Sequence, residues 1–380
     1  MTRRSFVLCA LLTTLGCAAD EDQDPSMSPG GTTSAEPGGS SSSGLPTGDD
    51  GDDASSTSDG ESSGAPADCG TADVSEVSLF QVLETRLYAD GAPSTDAAVP
   101  VVAGRRAWVR AKGRGGVVRV EVDGVAYEAA MTDDEALVAL PAEAIGTGTS
   151  LSVEIGGCPE TRIDSLALNA VETGPIEIRL VPFEIGGFVP DTSATVVEGL
   201  RNAVLSVYPA TDVIVTVADV VPDAYGGQVD MGDLLVDLGV IQEQTATAPH
   251  IYYYGLVTGA ATREEFCDDC PTGTSEAGNG DRAAFSVGAA FADQRSEDTL
   301  IHELGHMHGL LHAPCGDPDL LDEDFPYEDA ATTIEGWDFR TETFVPVGAQ
   351  DMMAYCYPRW ISDYNYRNLV DWVQLAQTWR

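Results

Sequence analysis

The chain has 380 residues, with 62 acidic against 19 basic side chains and a formal net charge of −43. Nucleic acids and anionic lipid surfaces are bound through clusters of basic side chains, so this balance argues against both as partners. The length is sufficient for two folded domains beside a linker.

Residues 1–17 have the pattern of an export signal. Arg3 and Arg4 precede an apolar run that ends at Leu15, which is too short for a permanent membrane-spanning helix. The string Thr14-Leu15-Gly16-Cys17 resembles the lipobox of bacterial lipoproteins, with threonine where leucine is usual. The resemblance implies a lipid on Cys17 and a location at the outer membrane or cell surface, with ordinary secretion as the alternative.

Residues 18–68 consist mainly of Ser, Gly, Pro, Asp and Glu and contain no Lys, Arg or aromatic residue. Such a segment cannot bury enough apolar surface to offset the entropy lost on ordering, and its like charges repel one another. We predict a disordered tether between a membrane anchor and the folded part. A cation-binding acidic tail is the alternative.

The region 69–171 alternates short β-like runs with turns that contain Gly, Asp or Pro. The runs lie at 77–83, 106–111, 116–122, 136–140 and 150–155. Alternation with a period of two at this spacing predicts a small all-β sandwich. Cys69 and Cys158 bracket the region and are expected to form a disulfide in an exported chain.

From residue 172 the pattern changes to strands that alternate with helices. The predicted elements are a strand at Ile176–Phe183, a helix that ends at Tyr208, a strand at 212–217, a helix at 231–244 and a strand at 251–255. Asp191 and Thr192 are candidate caps for the first helix, whose apolar residues recur at helical spacing. A last helix is expected at 362–378. The region 172–380 is therefore expected to be an α+β domain.

Cys267 and Cys270 lie in a loop between this part and the next predicted strand. Two cysteines at this spacing often indicate redox chemistry or zinc, but no second pair lies near them and the compartment is oxidising. A local structural disulfide is the favoured interpretation. Residues 282–288 then form a predicted edge strand.

One short segment holds four of the chain's five histidines. On a helix, His302 and His306 project from one face, and two imidazole nitrogens at that separation can hold one Zn²⁺. Glu303 reaches the water on the metal. Gly309 can end the helix with positive φ, so that the chain returns His312 as a third ligand. Three protein ligands leave one position open, which is the catalytic arrangement.

The remaining two histidines are not assigned to the metal. His308 follows His306 by two residues and points to another face of the helix, which favours a packing or surface role. His250 opens a predicted strand, where a polar strand-end role is favoured because the zinc already has three ligands.

The residues from His302 to His312 match His-Glu-x-x-His-x-x-Gly-x-x-His, and the chain resembles the metzincin clan of zinc endopeptidases over about 176–380. The resemblance implies a catalytic domain with a twisted sheet and backing helices, a zinc helix, a Met-turn and a C-terminal helix. In that clan the strand equivalent to 282–288 pairs with the extended substrate backbone. An ordinary edge strand is the alternative.

A second motif runs from Asp351 to Cys356. The resemblance places Met353 in a tight turn beneath the zinc, where its thioether packs under the imidazoles without ligating the metal. Tyr355 falls where astacin-like and serralysin-like members have a movable zinc ligand that hydrogen-bonds the oxyanion, with a packed tyrosine as the alternative. Cys356 can pair with Cys315 and clamp this turn against the segment after His312.

An acidic loop follows the third histidine. Its carboxylates are Asp317, Asp319, Asp322, Glu323 and Asp324. Their spacing is not that of a calcium loop such as the EF-hand, so a solvated acidic loop is favoured over a Ca²⁺ site.

These observations predict a zinc-dependent endopeptidase that hydrolyses extracellular proteins or glycoproteins, with one catalytic Zn²⁺ and Glu303 as general base. The glycoprotein expectation comes from strings at 336–338 and 360–364, which are similar to those of bacterial secreted and lipoprotein metzincins, some of which cleave mucin-type glycoproteins. The alternative is a surface binding or adhesion lipoprotein, which the intact Glu303 and three ligand positions disfavour.

The role of the region 69–171 has two interpretations. It contains no cluster of potential catalytic groups, which favours an accessory or spacer domain. The alternative is a latency-maintaining prodomain in which a Cys or Asp occupies the zinc. Cleavage specificity and oligomeric state have no signal in the sequence.

Overall fold

The computed structural model describes residues 15–16, 69–95, 99–228, 230–245, 248–266 and 272–380. The predictions for Cys17, for the 18–68 tether and for Cys267 and Cys270 concern residues outside these ranges. The described part is a mixture of β-sheets and α-helices, in agreement with the predicted α+β class. No helix in it is long and apolar enough to cross a bilayer.

The β-rich region from residue 73 to residue 167 forms two antiparallel sheets. Their strands are β2 (Asp73–Phe80), β3 (Glu84–Ala89), β4 (Ala92–Pro93), β5 (Ala107–Arg114), β6 (Val117–Val122), β7 (Val125–Ala130), β8 (Glu135–Leu140), β9 (Ser150–Ile155) and β10 (Cys158–Ala167). One sheet has the order β4-β3-β2-β5-β8 and the other the order β10-β9-β6-β7. Alternate residues of both sheets, such as Val109 and Val120, are buried in one shared core.

A disulfide ties the start of this region to its last strand. Cys69 begins a 3₁₀ helix at Cys69–Thr71 and is bonded to Cys158 at the start of β10, as predicted. Because each sulfur is bonded to the other, neither cysteine can occupy a metal as a thiolate. This bond argues against the cysteine version of the prodomain interpretation, and the accessory-domain and prodomain interpretations both stay predictions. A second 3₁₀ helix lies at Ala142–Ala144.

The second region is built on a six-stranded sheet with the order β1-β14-β15-β13-β11-β12. The strands are β1 (Leu15–Gly16), β11 (Ile176–Phe183), β12 (Val213–Val217), β13 (Ile251–Val257), β14 (Gly273–Ser275) and β15 (Phe285–Ala289). Four adjacent strands of this sheet, β15, β13, β11 and β12, run parallel to one another. β14 is antiparallel to its neighbour β15. Buried side chains on the sheet, such as Ile178 and Leu180, pack against the helices.

Within the described ranges, five helices and two short strand pairs complete this region. They are α1 (Ala194–Val207), α2 (Met231–Thr245), α3 (Arg263–Phe266), α4 (Gln294–Met307) and α5 (Asp363–Gln377), with β16 (Gly336–Asp338) paired to β17 (Thr343–Val345) and β18 (Gln350–Asp351) paired to β19 (Arg359–Trp360). The residue before α1 is Ser193, so Asp191 and Thr192 are not its caps. Asp191 instead accepts a hydrogen bond from the Ser193 N–H.

The predicted edge strand at 282–288 is corrected by the sheet order. The strand in this stretch is β15, which lies between β13 and β14 and is therefore internal. β14 is the strand outside it, and the Leu15–Gly16 backbone pairs antiparallel with the outer edge of β14. With three residues, β14 is too short to show a period of two in the sequence.

The two regions meet at Arg105, which is only 4% exposed. Its guanidinium donates hydrogen bonds to the carbonyl of Leu205 at 2.5 Å, to that of Ala210 at 3.1 Å and to that of Tyr208. These carbonyls lie at and just beyond the C-terminal end of α1, where the helix dipole favours a positive charge. The β-rich region thus satisfies buried acceptors that belong to the second region.

A second set of contacts surrounds Val82 and Leu83, which belong to the same hydrophobic core as Met352 and Met353. The Val82 carbonyl accepts hydrogen bonds from the Trp337 N–H at 2.9 Å and from the indole Nε1–H of Trp360 at 3.3 Å. The β-rich region therefore packs against, and hydrogen-bonds to, the chain around the predicted Met-turn.

A cavity of about 820 Å³ lies at the same interface. Its lining includes Arg105, Arg106, Arg201 and Arg340 and none of the histidines of the 302–312 segment.

We expect Arg105→Ala to lower the free energy of unfolding by about 3 kcal/mol, because it leaves buried carbonyls without donors. Urea denaturation of the whole chain measures this change. Arg106→Ala is the matched control. The Arg106 side chain is exposed, and its guanidinium carbon lies 4.5 Å from the centroid of the Phe339 ring. Its expected cost is below about 1 kcal/mol. Equal costs for the two variants would contradict the role given to Arg105.

Candidate metal centre

Helix α4 carries the first two histidines and begins after the N-cap residue Asp293. The Asp293 carboxylate accepts a hydrogen bond from the Ser296 N–H at 2.8 Å. Arg263 donates to both carboxylate oxygens, at 2.7 and 2.8 Å. Burial alone would raise the pKa of Asp293, but the hydrogen bonds from Arg263 and Ser296 outweigh it and hold that pKa at about 2.

The end of α4 is set by Gly309, which has φ +75°. The Leu310 N–H donates to the Gly305 carbonyl at 3.0 Å, which closes the last turn of the helix. A side chain at Gly309 would also meet the Trp372 ring at 2.5 Å. The position therefore needs glycine both for its backbone conformation and for space. The chain reverses here and returns His312 to the helix.

His302, His306 and His312 come together, with one potential ligand atom from each lying within 4.8 Å of the other two. All three are buried. Each Nδ1 atom faces a main-chain carbonyl oxygen: that of His302 is 2.9 Å from Met352, that of His306 is 2.9 Å from Leu310, and that of His312 is 2.5 Å from Asp319. A carbonyl oxygen only accepts, so each Nδ1 carries the proton and each Nε2 keeps a lone pair.

The arrangement of the three Nε2 atoms is that of metal ligands and not that of hydrogen-bonding partners. Those of His306 and His312 are 3.1 Å apart, although neither can donate to the other once Nδ1 holds the proton. The Nε2 of His302 is buried with no hydrogen-bond partner in the described structure. Burial lowers the pKa of all three imidazoles, that of His306 to about 3, so the rings are neutral. Three neutral nitrogens that face one point form a donor set that could hold a metal ion.

Met353 packs against the helix that carries the first two histidines. It is fully buried, and a side chain at Gly305 would collide with its sulfur. Gly305 precedes His306 directly, so the absence of a side chain there lets the thioether approach the helix backbone. The Met353 carbonyl also accepts a hydrogen bond from the Ala313 N–H at 3.0 Å.

Asp351 anchors this turn, and the sequence prediction assigned it no role. Its buried carboxylate accepts hydrogen bonds from the Met353 N–H, the Ser362 N–H and the Asn365 side-chain amide, each at 2.8 Å. It thereby links the turn to the start of α5, where Ser362 is the cap. The signal in the sequence was an acidic residue next to two apolar methionines.

Tyr355 reaches the histidine cluster. Its hydroxyl is 3.3 Å from the Nε2 of His312, and its ring centroid is 5.0 Å from that of His312. Cys356 is bonded to Cys315, as predicted, and the Tyr355 N–H donates to the Cys315 carbonyl at 3.0 Å. The disulfide and this hydrogen bond tie the tyrosine to the segment that carries His312.

Glu303 is fully buried beside the cluster. Its carboxylate oxygen Oε2 accepts a hydrogen bond from the Ser275 hydroxyl on β14. The sequence predicted Glu303 but not its partner, because Ser275 lies in a short strand with no motif.

Of the remaining predicted residues, Asp319 contacts His312 through its carboxylate, which lies 3.5 Å from Nδ1, as well as through its carbonyl. His308 is buried against the Tyr252 ring at 4.7 Å, and burial lowers its pKa to about 4. His250 lies 3.4 Å from the Glu177 carboxylate. In the acidic loop, Asp322 accepts a hydrogen bond from the Tyr364 hydroxyl. Within the described ranges, the loop carboxylates form no group of three that converges on one point.

The family model that describes peptidase M66 matches residues 246–359, which run from just before β13 to the start of β19 and include the histidine cluster. The match supports a metallopeptidase. No curated protein matches the chain. Among solved structures, the crystal structure of metalloproteinase-II from Bacteroides fragilis aligns with a TM-score of 0.32 and 11% identity over 73% of this chain and 85% of that chain.

Asp293→Ala should lower the free energy of unfolding by about 1–2 kcal/mol at pH 7, a figure reduced for the 38% exposure of its side chain. Because the folded pKa of about 2 lies below the ordinary value of 3.8, the stabilisation is present above 3.8 and fades as the pH falls towards 2. Urea titrations from pH 7 to pH 3 measure this convergence. Asp293→Asn is the control that keeps the cap and loses the ion pair. A difference that does not shrink with falling pH would contradict the ion-pair contribution.

Proposed function

We propose that the protein is a zinc-dependent endopeptidase of the metzincin type that acts on extracellular proteins or glycoproteins. The observation that carries the proposal is the convergence of three unprotonated Nε2 atoms beside a buried glutamate. The motif spacing, the buried Met353 packed against α4 at Gly305 and the peptidase M66 match support it.

The chemistry follows from the positions of the side chains. A zinc ion held by His302, His306 and His312 would supply a Lewis acid that polarises the scissile carbonyl and lowers the pKa of water. Glu303 accepts the proton of the attacking water and passes it to the leaving amine. The Tyr355 hydroxyl, next to His312, donates a hydrogen bond to the oxyanion as it develops.

The substrate backbone is proposed to pair with the outer edge of β14. This edge borders the site, because Ser275 of β14 contacts Glu303. In the structure an extended segment, Leu15–Gly16, pairs there antiparallel, with Leu15 opposite Ser275 and Gly16 opposite Thr274. The edge is thus able to receive an extended chain, which is how β-strand addition recognises peptides.

Glu303→Gln is expected to retain zinc and to lose at least about 100-fold in kcat, because glutamine cannot accept the proton. Casein hydrolysis and the metal content of the purified protein measure the two properties. The matched control is Glu297→Gln on the same helix, which should stay near wild type because Glu297 pairs with Arg340. Full activity of Glu303→Gln would remove Glu303 from the mechanism. A wild type with no chelator-sensitive hydrolysis would favour the adhesion alternative.

We also propose that the chain is exported and anchored at the outer membrane or cell surface by a lipid on Cys17, and two disulfides in the described part agree with an oxidising compartment. Cys17→Ser should abolish incorporation of labelled palmitate and release the protein from the membrane fraction. Labelled wild type and Ser43→Cys, which adds a cysteine elsewhere in the tether, serve as controls. Equal labelling of Cys17→Ser and wild type would contradict the anchor.

A further inference from the structure

Ser275 and Glu303 form a contact that the proposed mechanism does not yet use. Ser275 is fully buried on β14. Its hydroxyl proton has two acceptors, both on Glu303: the carboxylate oxygen Oε2 and the main-chain carbonyl oxygen at 3.1 Å. A hydrogen bond to a charged carboxylate is among the stronger kinds in proteins. The serine therefore holds the side chain and the helix backbone of one residue together.

Gly273 meets the same side chain two residues earlier on the strand. Residues at positions i and i+2 of a strand face the same side. A Cβ at Gly273 would lie 2.7 Å from both Cδ and Cγ of Glu303 and closer still to Oε1. Only glycine leaves room for the carboxylate at this point. On the face of the strand towards Glu303, Gly273 thus leaves space for the carboxylate and Ser275 provides a hydrogen-bond donor to it.

We infer that Gly273 and Ser275 form a seat that fixes the Glu303 carboxylate, with Ser275 as a positioning residue for the proton acceptor. The inference rests on the proposed peptidase function. A glutamate side chain has several rotatable bonds, and a proton acceptor works best when one conformation is held in advance. Because β14 also carries the edge proposed for the substrate, one short strand aligns both the scissile bond and the base.

Ser275→Ala in the full chain tests the seat. We expect kcat to fall about 10-fold or more, with KM within about twofold of wild type and an unchanged zinc content, because the hydrogen bond positions the base and does not hold substrate or metal. The matched control is Ser286→Ala on β15. Ser286 lies directly opposite Ser275 in the ladder, and its buried hydroxyl makes no hydrogen bond in the described structure. A kcat of Ser275→Ala equal to that of Ser286→Ala would overturn the inference.

Gly273→Ala is the second variant. It would displace the Glu303 carboxylate by steric overlap, whereas Ser275→Ala removes the hydrogen bond to that carboxylate. The added Cβ must push the carboxylate away, so we expect a larger fall in kcat with zinc retained. Gly116→Ala in the β-rich region is its control, because a Cβ there meets no atom within 4 Å. Wild-type kcat in Gly273→Ala would count against the seat.

A structural readout separates this inference from the proposed function. Crystal structures of wild type and Ser275→Ala, both without metal, should show the Glu303 carboxylate displaced by about 1 Å or more in the variant. An unmoved carboxylate would overturn the seat whatever the activity. A wild type without chelator-sensitive hydrolysis would instead overturn the peptidase proposal, and the crystal comparison would still decide the seat.

Discussion

The metal centre depends on three hydrogen bonds from imidazole Nδ1–H groups to main-chain carbonyls. The acceptors are the carbonyls of Met352, Leu310 and Asp319, which belong to the turn at 351–356, the segment just after α4 and the acidic loop. Each bond fixes both the tautomer and the orientation of its ring, so three separate backbone segments must be correctly placed before the Nε2 lone pairs face one point. Much of the surrounding structure can be understood as the means of placing those carbonyls.

The turn at 351–356 is held in place by several contacts. Asp351 binds it to the start of α5, and the disulfide between Cys315 and Cys356 binds it to the segment after His312. Val82, which belongs to the β-rich region, accepts a hydrogen bond from the Trp360 indole on the far side. Such redundancy is expected where a buried polar arrangement must be rigid, because a partly satisfied network would be costlier than an apolar core. The site thus draws on both regions of the chain.

Local patterns predicted much of this structure, and non-local contacts account for what was missed. The histidines and Glu303 lie within one helix and the turn after it, so their spacing predicted that they would meet. The long helices and Ile176–Phe183 follow their apolar periodicity. The edge of the sheet was assigned wrongly because strand order depends on pairing between distant segments, and β14 is too short to show a period. Ser275 was missed because its partner Glu303 lies on a different element, 28 residues along the chain. Asp351 was missed because its partners lie in an irregular turn and at the start of α5, where no repeating pattern marks the contact.

The burial of Arg105 has a consequence for any maturation of the chain. Its guanidinium spans the junction between the β-rich region and α1, where it is buried and donates to main-chain carbonyls of the second region. Nicking the connection near residue 172 should therefore yield two polypeptides that stay associated, because separating them would break these hydrogen bonds and expose the apolar side chains around Val82 to water.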